Sequence, residues 1–263
     1  MRAFWQVVKI AIRQQLTYRT AIVAGLVTNL FFGLLRAALY IALMDNQGTV
    51  NQMTANSAVN YAALTQALIS FLTVFGSFDL MKEVYSGGIG SDLLKPMSLY
   101  RYWMGKDLGK SLINLLLRGV LLLIAFNIFY PVELPTRVDL WLLLIPALIL
   151  AWLNSFAWRF LVNLASFWTP DAIGIGRLAF GVSQFLSGFI MPLRFFPDWF
   201  HQLTLLTPFP SMVNAPVEIY LGLLDLPQIL QVLGLQLAWF IGLTALAHFV
   251  MRRGIRRLVV QGG

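Results

Sequence analysis

Six long apolar runs, at about 20 to 44, 59 to 78, 111 to 130, 140 to 163, 172 to 192 and 229 to 251, leave this chain little choice of solvent. A helix needs about 20 apolar residues to cross the hydrocarbon layer of a bilayer. Backbone amides find no water there, so each run must be a helix or part of a closed barrel. Leu140 to Leu153 is continuously apolar and lacks the alternation of a barrel strand. The expectation is an all-α integral membrane protein of six transmembrane helices. Its single membrane domain takes in residues 1–263, because no polar stretch between Thr20 and Met251 is large enough for a separate soluble fold.

Charge supports this reading and orients it. Only 11% of residues are charged, against about 25% in an average soluble domain. The net charge of +8 comes from basic residues beside the apolar runs, where anionic headgroups and topology account for them and nucleic acid need not. Arg2, Lys9, Arg13 and Arg19 precede the first run, and Lys82, Lys95, Arg101, Lys106 and Lys110 lie between the second and third. Arg159, Arg177 and the four arginines from Arg252 to Arg257 complete fifteen on one side, with only Arg137 and Arg194 opposite. Such a division predicts a multi-pass protein of the cytoplasmic (inner) membrane with both termini in the cytoplasm. Residues 2 to 18 lack the compact apolar core and cleavage site of a signal peptide and suit either a helix lying among the headgroups or an ordinary basic flank.

Two connections carry more pattern than a tether needs. Between the second and third runs, Asp79 to Tyr85 reads as a short helix and Gly87, Gly88 and Gly90 as a break. A second helical turn follows from Ser91 or Asp92, with Asp92 as its cap and Pro96 limiting it. Val84, Tyr85, Ile89, Leu93 and Leu94 would then be offered to a soluble partner, or rest on the membrane. Between the fifth and sixth runs, Pro197, Asp198, Trp199 and Pro208 belong to a segment too apolar for a free loop. Asp198 can start a short helix through Leu206, the prolines from Pro208 to Pro216 would break it, and another short segment reaches Leu221. A re-entrant helical hairpin satisfies these constraints.

Inside the runs, Asn29, Arg36 and Arg118 are candidates for a path taken by an anionic or zwitterionic substrate. The competing reading is that the arginines snorkel or pair structurally and that the asparagines join helices. Gly174, Gly181 and Gly188 recur every seven residues and predict one flat packing face. No catalytic constellation or metal site is expected: His201 and His248 fall on opposite sides in this topology, there is no cysteine, and no phosphate-binding lysine loop occurs.

The stretch Ser86-Gly87-Gly88-Ile89-Gly90-Ser91-Asp92-Leu93-Leu94-Lys95-Pro96-Met97-Ser98, the outer segment Pro192 to Phe200, the basic N-terminal helix and the six runs together resemble the permease subunit of type-2 ABC exporters. The likeness is to the subgroup first catalogued as a domain of unknown function. It spans nearly the whole chain as one transmembrane permease domain. By that resemblance, Glu83, Val84, Tyr85, Ser86, Gly87, Gly88, Ile89, Gly90, Asp92, Leu93, Leu94, Lys95 and Pro96 would form the coupling element that enters a groove on the ATPase. Residues 192 to 200 would belong to re-entrant helices capping the exit. Gly88 departs from the commoner pattern, which has an acidic residue there. The resemblance implies two copies of a separate ABC ATPase, with ATP and Mg bound on that partner and no cofactor on this chain, which is not itself an enzyme. It also implies a second permease, identical or paralogous, and membrane lipids as surroundings. A non-transporting membrane scaffold that recruits soluble proteins through the same loop is the alternative.

Overall fold

The computed structural model describes residues 2–45, 48–169 and 172–257; Met1 and residues 258–263 of the domain assigned from sequence lie outside the described residues. Its helices, in chain order, are α1 (Arg2–Thr17), α2 (Arg19–Met44), α3 (Ala55–Leu68), α4 (Asp79–Tyr85), α5 (Ile89–Leu93), α6 (Leu99–Asn114) and α7 (Leu121–Phe126). There follow α8 (Val138–Asn163), α9 (Ile173–Leu186), α10 (Asp198–Leu205), α11 (Asn214–Tyr220) and α12 (Leu226–Ile255). A π turn, Leu115–Val120, joins α6 to α7 in one rod, and a 3-10 turn, Leu164–Phe167, extends α8.

Among the described residues, four helical stretches are long and apolar enough to cross a membrane: Arg19–Met44, Leu99–Phe126, Val138–Phe167 and Leu226–Ile255. They expose Val27, Phe31, Leu142, Ile145, Leu237 and Ile241 among other large apolar side chains. No water-soluble surface carries that much contiguous apolar area, so this is a multi-pass, helical membrane protein.

The runs at 59 to 78 and 172 to 192 are not continuous helices. α3 and α9 have 14 residues each, about 21 Å of helix, and reach further only through the irregular chain attached to them. After Leu68 the backbone unwinds, with Thr73 and Gly76 at positive φ (50° and 80°). Positive φ is strained for a β-branched threonine. The unwound backbone is satisfied by α8: Ser155 Oγ donates to the Leu72 carbonyl, and Asn163 Nδ2 donates to that of Ser77 at 2.7 Å. Asn163 Oδ1 accepts from the Met81 amide at 3.2 Å, so one side chain bridges the break. α3 itself is buried on every side from Ala58 to Leu68, as the inner helix of a bundle must be. The third helix starts at Leu99, well before residue 111, because Ser98 caps it by accepting from the Arg101 amide.

Among the described residues, one short strand pair interrupts the helical pattern. β1 (Thr49–Val50) and β2 (Met53–Thr54) form an antiparallel hairpin whose turn residues, Asn51 and Gln52, both have positive φ, as a tight primed turn requires. Thr54 then caps α3, its side chain accepting from the Ser57 amide at 3.1 Å.

α1 is more than a flank. It lies along α6, with Phe4 and Val7 against Gly105 and Val8, Ala11 and Ile12 against Gly109; a Cβ on Gly109 would come within 2.6 Å of the Val8 carbonyl oxygen. Both contacts advance in the same direction, so the two helices run parallel. Two glycines four apart admit the close backbone approach.

The connections collect at two ends. At one, Arg194 Nη1 donates to the Asn51 carbonyl, Asn51 Nδ2 donates to the Arg194 carbonyl, and Asn60 Oδ1 accepts from the Glu133 amide. At the other, Leu80, Ile89, Leu99, Tyr100, Phe167 and Met251 share one apolar cluster.

Candidate functional site

The first candidate is the connection 79 to 98. Leu80, Met81 and Ile89 are buried and anchor it, whereas Tyr85 is 76% and Leu94 89% exposed. Gly87, at φ +77°, turns the chain between α4 and α5, a conformation glycine adopts without a Cβ penalty. Ile89, expected at the surface, is 1% exposed, and Val84 packs against the same cluster. Asp92 is not a cap: α5 begins at Ile89 after Gly88, and the Asp92 carboxylate instead receives Lys95 Nζ at 2.5 Å. The presented apolar surface is therefore Tyr85, Leu93 and Leu94, narrower than the sequence suggests. Glu83 brings its carboxylate to the place where a side chain on Gly88 would stand. At the root of the element, burial raises the Asp79 pKa, but Lys110 Nζ at 2.7 Å, with Lys106 and Lys82 near, outweighs it and holds the carboxyl below its ordinary value.

The second candidate is the unwound stretch after α3, on which three cavities converge. One of about 260 Å³ is lined by Asp79, Lys106, Asp107, Lys110 and Arg159; a small one lies against Ser155, Ser183, Ser187 and Met212. The third, about 210 Å³, is lined by Asn29, Ser70, Phe75, Asn114 and Arg118. Thr73 lines all three. Between the first and second cavities, Arg159 makes a two-pronged ion pair with Asp107, at 2.5 and 3.0 Å, and Trp152 Nε1 donates to the same carboxylate at 2.9 Å. Asp107 stands in a lysine-rich stretch that reads as solvated charge, so its role was not visible in sequence.

Arg36 and Arg118 do not share a site. Arg36 donates to Thr65 Oγ1 at 3.1 Å and to the Tyr40 hydroxyl at 2.9 Å, and lies near the rings of Tyr40 and Phe189. Tyr40 in turn donates to the Ile190 carbonyl, so Arg36 ties α2 to α3 and to the turn after α9. Asn29 and Arg118 stand together on the third cavity.

The third candidate is the segment from Leu193 to Asp225. α10 runs from Asp198 to Leu205, one residue short of the expected helix, and Pro208 lies in the break that follows. Pro216 does not belong to that break; it is buried inside α11. Gln236 Nε2 donates to the Ser211 carbonyl at 2.8 Å and to that of Ala147 at 3.1 Å, and Phe209 meets the Trp158 ring edge-on. Ala147 is 9 residues beyond Val138 and Gln236 is 10 beyond Leu226, so the tip sits about 15 Å along both helices. The tip is buried between the two helices, as irregular backbone inside a bundle must be. Its base is fixed by Arg194, which donates to Glu218 at 2.6 Å and to the Leu223 carbonyl at 3.1 Å. Trp199 remains 69% exposed near the chain's turn, where an amphipathic ring suits an interface.

The predicted glycine face is corrected in part. Gly174 and Gly181 have open space where a Cβ would stand, but Gly188 lies in the turn after α9 at φ +80°, against Tyr61 and Asn214. His201 lines a cavity beside Arg194 and Glu218, while His248 packs on Tyr100 at the opposite end.

No curated protein matches the chain. A family described as ABC-2 family transporter protein matches residues 29–262, which cover the chain from within α2 onward, including the α4–α5 connection and the segment from Leu193 to Asp225. On that match, joined to the multi-pass helical architecture, the chain belongs to the ABC-2 transporter family.

Proposed function

We propose that this chain is the permease subunit of an ATP-binding cassette exporter and receives force from a separate ATPase through α4 and α5. One observation carries the coupling role. The α4–α5 connection is anchored by Leu80, Met81 and Ile89 yet presents Tyr85, Leu93 and Leu94 outward, at the end of the bundle away from the re-entrant segment. In this reading the chain crosses six times, the second and fifth crossings being completed by the irregular chain beside α3 and α9. Both termini and α4–α5 are cytoplasmic, in keeping with the basic residues. Two ATPase copies bind ATP and Mg, and a second permease, identical or paralogous, completes the transporter. This chain has no catalytic step of its own.

The packing suggests how a push would travel. α4 meets α8 through Asn163, the 3-10 turn after α8 through Leu164 and Phe167, and α9 through Met81 and Phe180. Closure of the ATPase dimer would load these contacts and the unwound stretch after α3 together. Two packed arrangements of that stretch would then alternate access.

Replacing Leu93 and Leu94 with aspartate should leave insertion intact and abolish co-purification of a nucleotide-binding subunit; retained binding would reject the docking role. A Tyr85→Cys variant labelled only from outside the cell would overturn the topology. ATP-dependent flux in reconstituted vesicles separates a transporter from a membrane scaffold using the same loop.

A further inference from the structure

Four arginines among the described residues are buried or half-buried, and they differ in whether their guanidinium finds a hydrogen-bond partner. Arg159 pairs with Asp107, Arg194 pairs with Glu218, and Arg36 is held by Thr65 and Tyr40. Arg118, half-buried, has no hydrogen-bond partner among the described residues, and its Nε is buried and unsatisfied. Its guanidinium lies against Gly25, in the space a side chain there would fill. The π turn helps place it: Gly119 packs on the Ala67 carbonyl of α3, leaving the neighbouring Arg118 between α2 and the unwound stretch. Such single π turns inside α-helices are frequent at functional sites.

Arg118 shares its cavity with a second unpaired donor. Asn29 is only 7% exposed, and its Nδ2 is buried without a partner among the described residues. Asn114 receives Gln15 Nε2 on its Oδ1 at 3.1 Å, which leaves its own amide hydrogens free to point elsewhere. Among the described residues no acidic side chain lines this cavity, and Ile69 and Phe75 line its apolar side. Its volume of about 210 Å³ is several times the ~30 Å³ share of a water molecule. Buried donors without acceptors are costly, and a cation with a planar fork beside them matches a phosphate or carboxylate.

We infer that Arg118, Asn29 and Asn114 form a cradle for the anionic head of an amphiphile, phosphate or carboxylate, whose apolar portion lies along Ile69 and Phe75. That this ligand is cargo rests on the proposed transport function; that it binds does not.

The test measures binding to the purified full chain in neutral detergent by native mass spectrometry and thermal shift. The probes are dioctanoyl phosphatidate, dioctanoylglycerol and inorganic phosphate. Phosphatidate should bind and dioctanoylglycerol should not. Arg118→Gln should weaken phosphatidate by at least about tenfold, Arg118→Lys should recover part of the loss, and Asn29→Leu should weaken it by less. Gly25→Ala keeps the charge but displaces the guanidinium, and should weaken binding without lowering the melting temperature of the ligand-free protein. Equal affinity of wild type and Arg118→Gln, or of phosphatidate and dioctanoylglycerol, overturns the cradle. If inorganic phosphate competes as well as phosphatidate does, the amphiphile is overturned and a free anion takes its place. A protein that binds phosphatidate through Arg118 yet shows no ATP-dependent flux loses the cargo role and keeps the site.

Discussion

The two ends of the bundle are finished in opposite ways. At the end with the β-hairpin, polar side chains turn inward: Arg194 spans Asn51, Glu218 and Leu223, and Asn56 and Asn60 secure the 127–137 loop through Glu133. The segment between them is buried from Pro210 to Tyr220. At the α4–α5 end, apolar side chains turn outward, and Tyr85 and Leu94 stand free. An end whose polar groups are consumed internally acts as a seal. The other end leaves Tyr85 and Leu94 uncovered in a lysine-rich setting, which is the surface the proposed docking role would use. The buried Asp107–Arg159 pair lies inside that second end and stiffens its base.

The comparison can be broken most sharply at that pair. Asp107→Ala leaves Arg159 buried without its counter-charge and should destabilise the protein by about 3 to 5 kcal/mol, read as a fall in melting temperature in detergent. Joint replacement by Asp107→Leu and Arg159→Met should restore most of the loss. Next in size, Glu218→Ala removes the charge-assisted bonds of Arg194 and should cost about 2 kcal/mol, with protease cleavage appearing between 193 and 225. If that cleavage is instead unchanged, the hairpin end is not sealed by Arg194. Leu94→Asp should change stability by less than about 0.5 kcal/mol while removing partner binding, because the side chain touches little in the free chain. A large loss of stability there would mean that the α4–α5 end is closed already.

The smallest effect concerns Asp79. Its folded pKa is depressed by Lys110 despite partial burial, so the stabilisation it gives is present above the unfolded carboxyl value. It fades as pH falls through the depressed one. Asp79→Asn should flatten that acid-side decline slightly, more at low salt than at high, in melting temperatures measured from neutral pH downward.

Much of this was legible in residues alone. Asp198 after Pro197 predicts α10, and Gly87 predicts the turn between α4 and α5. The start of α12 at Leu226 was set by a reciprocal capping box of Asp225 and Gln228, ahead of the apolar run expected from residue 229. Each is a local signal, acting within one helical turn. The unwinding after Leu68 has no such signal, since Ile69 to Phe75 is as apolar as a span and its backbone partners, Ser155 and Asn163, come from more than 80 residues away. Asp92 looks like a cap because its type and position fit one, but Lys95 captures it and α5 starts earlier. Gly105 and Gly109 do carry a readable spacing of four; what they seat, α1, is a choice among helices that spacing cannot name.

By itself, the sequence determined that the chain lives in lipid, where its apolar runs lie, and how its charges divide, because transfer of apolar area and of single charges depends on residue type. Tertiary structure decided which polar residue meets which. Asp107 found Arg159, Asn163 bridged the break after α3, and Arg118 was left beside Asn29 without a hydrogen-bond partner among the described residues. In a medium without water, a buried donor or charge is fixed by the partner the fold brings to it, and that partner lies far off in the chain.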